Sequence, residues 1–303
     1  MHQFIGYIRP DGSVGIRNHV ALLGFGLTGA AVCRMVAGLV KNALPVFCSS
    51  EGSSSCLRIA KHPNIAGFVV VQERGNAPAD DFRDELERTG KPHEVFELQQ
   101  GDFLESMLKI AQVVSNIIQE ASTQRREVVN FPRLVLGFFC HDSREIHDIL
   151  DHFLCLVEQE RARCLWLEEA GRDERELYPG FLERKIGDIK FGQPLGKRPG
   201  VYRYMYPGSE DNALDAVIAF GAQLLLFPAE RKRALLYPIV PILRFAVDRE
   251  INAASSCELY LSRLRTGEIT AKDAGLLLFS EVLATASGKL TNTEMFGDIL
   301  FIQ

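Results

Sequence analysis

Cys140, His141, Asp142 and Ser143 are consecutive and close the apolar run Leu134 to Phe139. Thiol, imidazole, carboxylate and hydroxyl in one short stretch are the groups that hold a divalent metal or pass a proton. Their place supports the same chemistry. A run of strand length that turns abruptly polar reads as a buried strand ending in a loop, and ligands of open α/β sheets bind beyond the carboxyl ends of strands. Gly137 permits close backbone approach within the run. In the helix predicted next, His147 and Asp151 stand four apart, as do Asp148 and His152, with Cys155 three beyond. A plainer account sets His147, Asp148, Asp151 and His152 on the wet side of an amphipathic helix whose Ile146, Ile149, Leu150, Phe153 and Leu154 face the core. No CxxC pair occurs, so a structural zinc site is not expected.

The chain that must position these groups has 303 residues, 47% of them hydrophobic, with 34 basic against 39 acidic side chains and a net charge of −5. That length and composition predict a globular chain of two domains with core enough to need no staples. The 7 cysteines are odd in number and lack a framework spacing, which predicts reduced thiols in a cytoplasmic protein. Neither a leader nor a membrane span is read from the sequence. The slightly acidic balance argues against a nucleic-acid surface, which needs a clustered basic face.

Strands and helices alternate from the start. Phe4 to Leu23 reads as two short strands around the turn Pro10-Asp11-Gly12. Helices are predicted over Ala77 to Thr89 and Phe103 to Ala121, a strand over Glu94 to Leu98, and a solvated helix over Val157 to Leu177 anchored by Trp166. The alternation implies a mainly parallel sheet covered on both faces. The polar stretch Ser122 to Val129 marks a boundary. The expected fold is α/β, with an N-terminal α/β domain over residues 1–126, a C-terminal one over 127–303, both three-layered and Rossmann-like, and a short N-terminal β-hairpin.

Gly24-Phe25-Gly26-Leu27-Thr28-Gly29 is a GxGxxG between a strand and a helix, with Glu51 roughly where a ribose-binding acid would stand. It supports one alternative, a nucleotide-binding oxidoreductase using Gly24, Gly26 and Gly29.

The opening words GYIRPDGSVGIRN resemble the start of the catalytic part of the altronate and galactarate dehydratase family, sugar-acid hydro-lyases. Gly6, Tyr7, Arg9, Asp11, Gly12, Val14, Gly15, Arg17 and Asn18 carry the likeness, and His62-Pro63-Asn64 matches the family's HPN segment. Gly200 to Pro207, Ala219 to Phe227, Pro238 to Phe245 and Thr285 to Phe301 follow in family order. The last resembles an ASG-x-x-T-x-x-E word through Ala286, Ser287, Gly288, Thr291 and Glu294. Thr291 and Glu294 fit a capping box equally well, and Gly288 fits a helix stop.

The resemblance implies elimination of water from a small hydroxy acid with help from a divalent metal, commonly iron. Cys140, His141, Asp142 and Ser143 would then serve catalysis, the first three as metal ligands, and Arg9, Arg17, Asn18, Thr28, Thr291 and Glu294 would contact substrate. A homo-oligomer or a small partner subunit is also implied. The chain departs from the family at several places. Thr28 replaces a cysteine, Ser49 to Cys56 lacks the His-Gly and Cys-Gly words, Gln72-Glu73-Arg74 replaces Gly-Cys-Glu, and an NP-PGN-GG loop is missing. Pro228 to Arg233 replaces a glycine-rich anion turn, while Arg231, Lys232 and Arg233 keep positive charge there. Loss of so many site words supports the other alternative, a scaffold that no longer catalyses and serves as partner subunit or metabolite-binding module.

Overall fold

A computed structural model describes residues 1–48, 53–73, 80–98, 103–139, 143–171, 186–229, 239–248 and 257–296. The chain divides into two compact units, Gly6–Glu127 and a second made of Met1–Ile5 with Val128–Gln303. Strand β1 (Gln3–Ile8) runs from one into the other and pairs antiparallel with β2 (Val14–Gly15), Tyr7 opposite Gly15. The expected turn closes this hairpin, the Ser13 N–H donating to Asp11 Oδ1 at 2.8 Å. On its other side β1 neighbours β7 (Glu127–Asn130).

In the N-terminal unit, β3 (His19–Phe25), β4 (Ala43–Cys48), β5 (Ile65–Glu73) and β6 (His93–Leu98) form a parallel sheet in the order β4-β3-β5-β6. β3 and β5 are almost continuously apolar because both their faces are covered. Helices α1 (Gly26–Leu39) and α4 (Phe103–Thr123) press Val32, Cys33, Val36, Ile110, Val114 and Ile117 onto Val20, Leu22, Val69 and Val71. Phe25, of opposite pleat parity, meets Phe82 of α3 (Asp80–Glu87) edge-on, with ring centroids 5.5 Å apart, and α3 packs beside α2 (Ser53–Lys61).

The C-terminal unit carries seven parallel strands in the order β10-β11-β9-β8-β12-β13-β14. They are β8 (Val135–Phe139), β9 (Arg163–Glu169), β10 (Ile186–Asp188), β11 (Gly200–Tyr206), β12 (Leu224–Pro228), β13 (Ile242–Ala246) and β14 (Leu259–Tyr260). Helix α5 (Arg144–Gln159) buries Ile146, Ile149, Leu150, Phe153 and Leu154 as its spacing requires, and packs against α7 (Ala271–Ala286). A further helix, α6 (Glu210–Ala219), leads into β12.

Three expectations are corrected. The stretch around Trp166 is the buried strand β9, not a solvated helix: Cys164 to Leu167 is a continuous apolar run, and its charged neighbours belong to the flanking turns and strand ends. His147, placed on the wet side by periodicity, is 3% exposed. The thiols are not all reduced: Cys48 and Cys56 form a disulfide, because the end of β4 and the first turn of α2 bring residues 8 apart in sequence face to face. Cys33, Cys155, Cys164 and Cys257 remain thiols. No helix among the described residues is long and apolar enough to cross a membrane.

Closing so short a loop restrains the unfolded chain by about 2.5 kcal/mol. Cys56→Ser is therefore expected to lower the unfolding free energy read from urea denaturation by that much, with a lower midpoint, and dithiothreitol to lower the wild type equally. A midpoint that neither treatment moves would show that the pair contributes nothing to stability.

Candidate functional site

Arg9 is 2% exposed, and its guanidinium is spent on protein acceptors. Nε donates to the Pro63 carbonyl at 2.7 Å, Nη1 to Asn18 Oδ1 at 2.7 Å and Gln124 Oε1 at 3.0 Å, and Nη2 to the Arg17 carbonyl at 2.6 Å. Around it, Asn18 Nδ2 donates to the Ala121 carbonyl at 2.7 Å, the Ile16 N–H to Asn64 Oδ1 at 3.0 Å, and the Asn64 N–H to His62 Nδ1 at 3.2 Å. A Cβ on Gly15 would stand 2.2 Å from the Pro63 oxygen, so only glycine lets the hairpin approach. The opening word and the HPN word are thus bonded to each other. Arg17 is 6% exposed and donates to the Ile16 carbonyl at 3.0 Å. A substrate carboxylate at Arg9 would have to displace four protein oxygens. Lys91 extends the cluster: it is 3% exposed and caps the carboxyl end of α2 by donating to the Ala60 and His62 carbonyls at 2.7 and 2.8 Å. Burial, and then the charge of Arg9, pull its ammonium from the ordinary 10.5 to about 7, and burial pulls Arg9 itself to about 10.

The GxGxxG segment spans the end of β3 and the first turn of α1, at the point where strand order reverses, the usual place for a ligand in such a sheet. Its glycines answer to packing. A Cβ on Gly24 would lie 2.7 Å from the Ala30 backbone, and one on Gly29 would lie 2.7 Å from the Val71 oxygen. The N–H of Thr28 at the start of α1 donates to Glu73 Oε1 at 2.5 Å, so a carboxylate from the end of β5 already stands where a pyrophosphate would be drawn. Thr28 itself is exposed. Glu51, expected on a ribose, lies outside the described residues.

In the C-terminal unit β8 lies between β9 and β12, again where strand order reverses. Its last residue, Phe139, packs edge-on against Phe227 of β12 and Tyr206 of β11, with centroids 5.4 and 6.1 Å apart. Cys140, His141 and Asp142 come next and lie outside the described residues; Ser143 is the extended N-cap of α5 and does not cap it with its side chain. Among the described residues no three His, Cys, Asp or Glu side chains converge as a metal cage.

Two strands away from β8, Arg244 is 6% exposed, and the neighbouring Glu258 bonds two backbone amides, Arg244 N–H at 2.5 Å and Asn292 N–H at 2.6 Å. Burial pushes the Glu258 carboxyl up, against the pull of those amides. Thr291 is fully buried; its N–H donates to Glu294 Oε2 at 2.8 Å and its Oγ1 accepts the Glu294 N–H at 3.4 Å, the capping box that opens α8 (Asn292–Phe296). Helix α7 ends as expected before Gly288, which has φ +110. Sequence reasoning singled out neither Arg244 nor Glu258, although a lone arginine inside the apolar word PIVPILRF was there to be seen.

Residues 6–122 match the family described as D-galactarate dehydratase/Altronate hydrolase, second domain. Over 377 aligned positions, covering 99% of this chain and 96% of the relative, the chain is 24% identical to the (2R)-sulfolactate sulfo-lyase subunit beta of Chromohalobacter salexigens. The alignment is longer than the chain, so the relative carries stretches that this chain lacks. The resemblance read from the opening word is borne out, and both matches point to a lyase-type family.

The depressed Lys91 makes stability depend on pH with a definite sign. Between about 7 and 10.5 the unfolded chain holds a proton at this lysine that the folded chain lacks, so folding stability should rise with pH across that window. Melting temperatures of wild type and Lys91→Met measured from pH 6.5 to 10 check this: the wild type gains relative to the variant as pH rises. Parallel curves would contradict it.

Proposed function

Because residues 6–122 belong to the second-domain family of D-galactarate dehydratase and altronate hydrolase, we propose that this chain is a carbon–oxygen lyase that eliminates water from a small 2-hydroxy acid. That match is the observation that carries the reading. In such a substrate a base takes the proton from the carbon beside the carboxylate. The C–O bond on the next carbon breaks, a carbon–carbon double bond forms, and the departing hydroxide takes a proton from an acid and leaves as water. The enol so formed becomes a 2-oxo acid. The same proton abstraction serves whether the leaving group is hydroxide or, as the name of the sulfo-lyase relative suggests, sulfite.

The reacting groups assigned here follow β8. His141 or Asp142 takes the proton, Cys140, His141 and Asp142 hold a divalent metal such as iron, and Ser143 with the N-terminus of α5 faces the developing negative oxygen. The metal would supply Lewis-acid stabilisation of that oxygen. Two features support the placement: β8 is central in its sheet, and strand order reverses on either side of it. A second chain is part of the proposal as well, since the sulfo-lyase relative is named as a subunit.

Turnover tests the reading. The purified chain, with ferrous iron under anaerobic reducing conditions, is offered D-galactarate, D-altronate and (2R)-sulfolactate, and 2-oxo acid is measured. D-Galactarate or D-altronate should react, with His141→Ala reducing kcat by about 100-fold or more, whereas turnover of (2R)-sulfolactate alone would replace loss of water by loss of sulfite. If none yields a 2-oxo acid, the lyase reading falls and a binding scaffold takes its place.

A further inference from the structure

We infer that Arg244 is the anion receptor of the C-terminal unit, the residue that holds the acid group of a small carboxylate or sulfonate ligand. The lyase reading supplies the identity of the acid, and the receptor itself stands on the geometry. Arg244 lies in β13, enclosed to 6% exposure, and its Nε is buried without a hydrogen-bond partner. Among the described residues its guanidinium makes no hydrogen bond and no ion pair, and it lies over the face of Phe227, 6.0 Å from the ring centroid. Glu258, whose charge is felt at Arg244, is already engaged by two backbone N–H groups rather than by the guanidinium. A guanidinium cannot shed its charge, so enclosing one with its donors unspent is costly unless something anionic comes to meet it. Arg9 makes the contrast, equally buried but fully bonded.

The position fits that role. Arg244 is opposite Phe227, and Leu226 is opposite Phe138, so Arg244 stands in the row of Phe139, the last residue of β8. Crossing from β13 over β12 to β8 takes two strand spacings, roughly 10 Å, which suits an acid a few carbons long whose far end lies over Phe139. Phe227 and Phe139 supply an apolar floor between. Asn292 and Thr293, from the word that follows Gly288, lie by the same strand: the Asn292 N–H bonds Glu258, and the Thr293 hydroxyl donates to the Ile242 carbonyl at 3.4 Å. The fork of an arginine also accepts carboxylate and sulfonate alike, in paired hydrogen bonds.

Isothermal titration of D-galactarate and (2R)-sulfolactate into the full chain tests this, with Arg244→Gln and Arg244→Lys as variants and circular dichroism as the check on folding. At least one acid should bind the wild type. Arg244→Gln should weaken its Kd by about 10- to 100-fold, and Arg244→Lys, which keeps the charge without the fork, should recover part of the loss. If Arg244→Gln does not fold, the comparison rests on Arg244→Lys. An unchanged Kd in the folded variants overturns the inference, and so does failure of both acids to bind the wild type. Binding that depends on Arg244 without any 2-oxo acid formed would instead leave the receptor standing and remove the lyase reading.

Discussion

One buried guanidinium organises the N-terminal unit. Arg9 hangs from the hairpin and is bonded to the HPN turn before β5, to Arg17 and Asn18 in the segment that leads into β3, and to Gln124 just past the end of α4. These four bonds satisfy a charge that burial would otherwise make prohibitive, and breaking any of them leaves the rest exposed to the same penalty. Gly15 is tied to the same contact, because its missing Cβ is what lets the hairpin reach Pro63. Asn18, Asn64 and His62 complete the clasp. Residues that carry the family likeness in this region are therefore among those that lock its first βαβ segment.

That distribution separates architecture from chemistry. At the carboxyl edge of the N-terminal sheet the chain has Thr28 bonded by Glu73, with Cys48 and Cys56 joined, where the family resemblance led one to look for free cysteine and histidine. In the C-terminal unit the buried Nε of Arg244, on β13, has no hydrogen-bond partner among the described residues. The first arrangement satisfies its own charges, whereas the second leaves one unsatisfied. Charge left over in a folded protein is the better guide to where a ligand binds.

Much of this was legible in the sequence, and the reasons for success and failure are physical. Periodicity placed α4 and the core face of α5, because long amphipathic patterns are dictated by burial. The turn tripeptide announced the hairpin. Trp166 was misread because Cys164 to Leu167 is short and flanked by charge, and a run of that length does not distinguish a buried strand from a helix segment. The bond between Cys48 and Cys56 depends on how α2 folds back on β4, which spacing alone does not reveal. Arg9 and Arg244 look alike in the sequence, each a basic residue in an apolar word. Only the acceptors around them, contributed by segments distant in sequence, tell a clasp from a receptor.

The most direct test of this division is Arg9→Lys, read by urea unfolding together with acid binding. The account predicts a stability loss of about 2–4 kcal/mol, since an ammonium cannot replace a fork with four acceptors, and an unchanged Kd for whichever acid the wild type binds. Unaltered stability with weakened binding would contradict it, and would make Arg9 a substrate contact rather than the residue that holds the unit together.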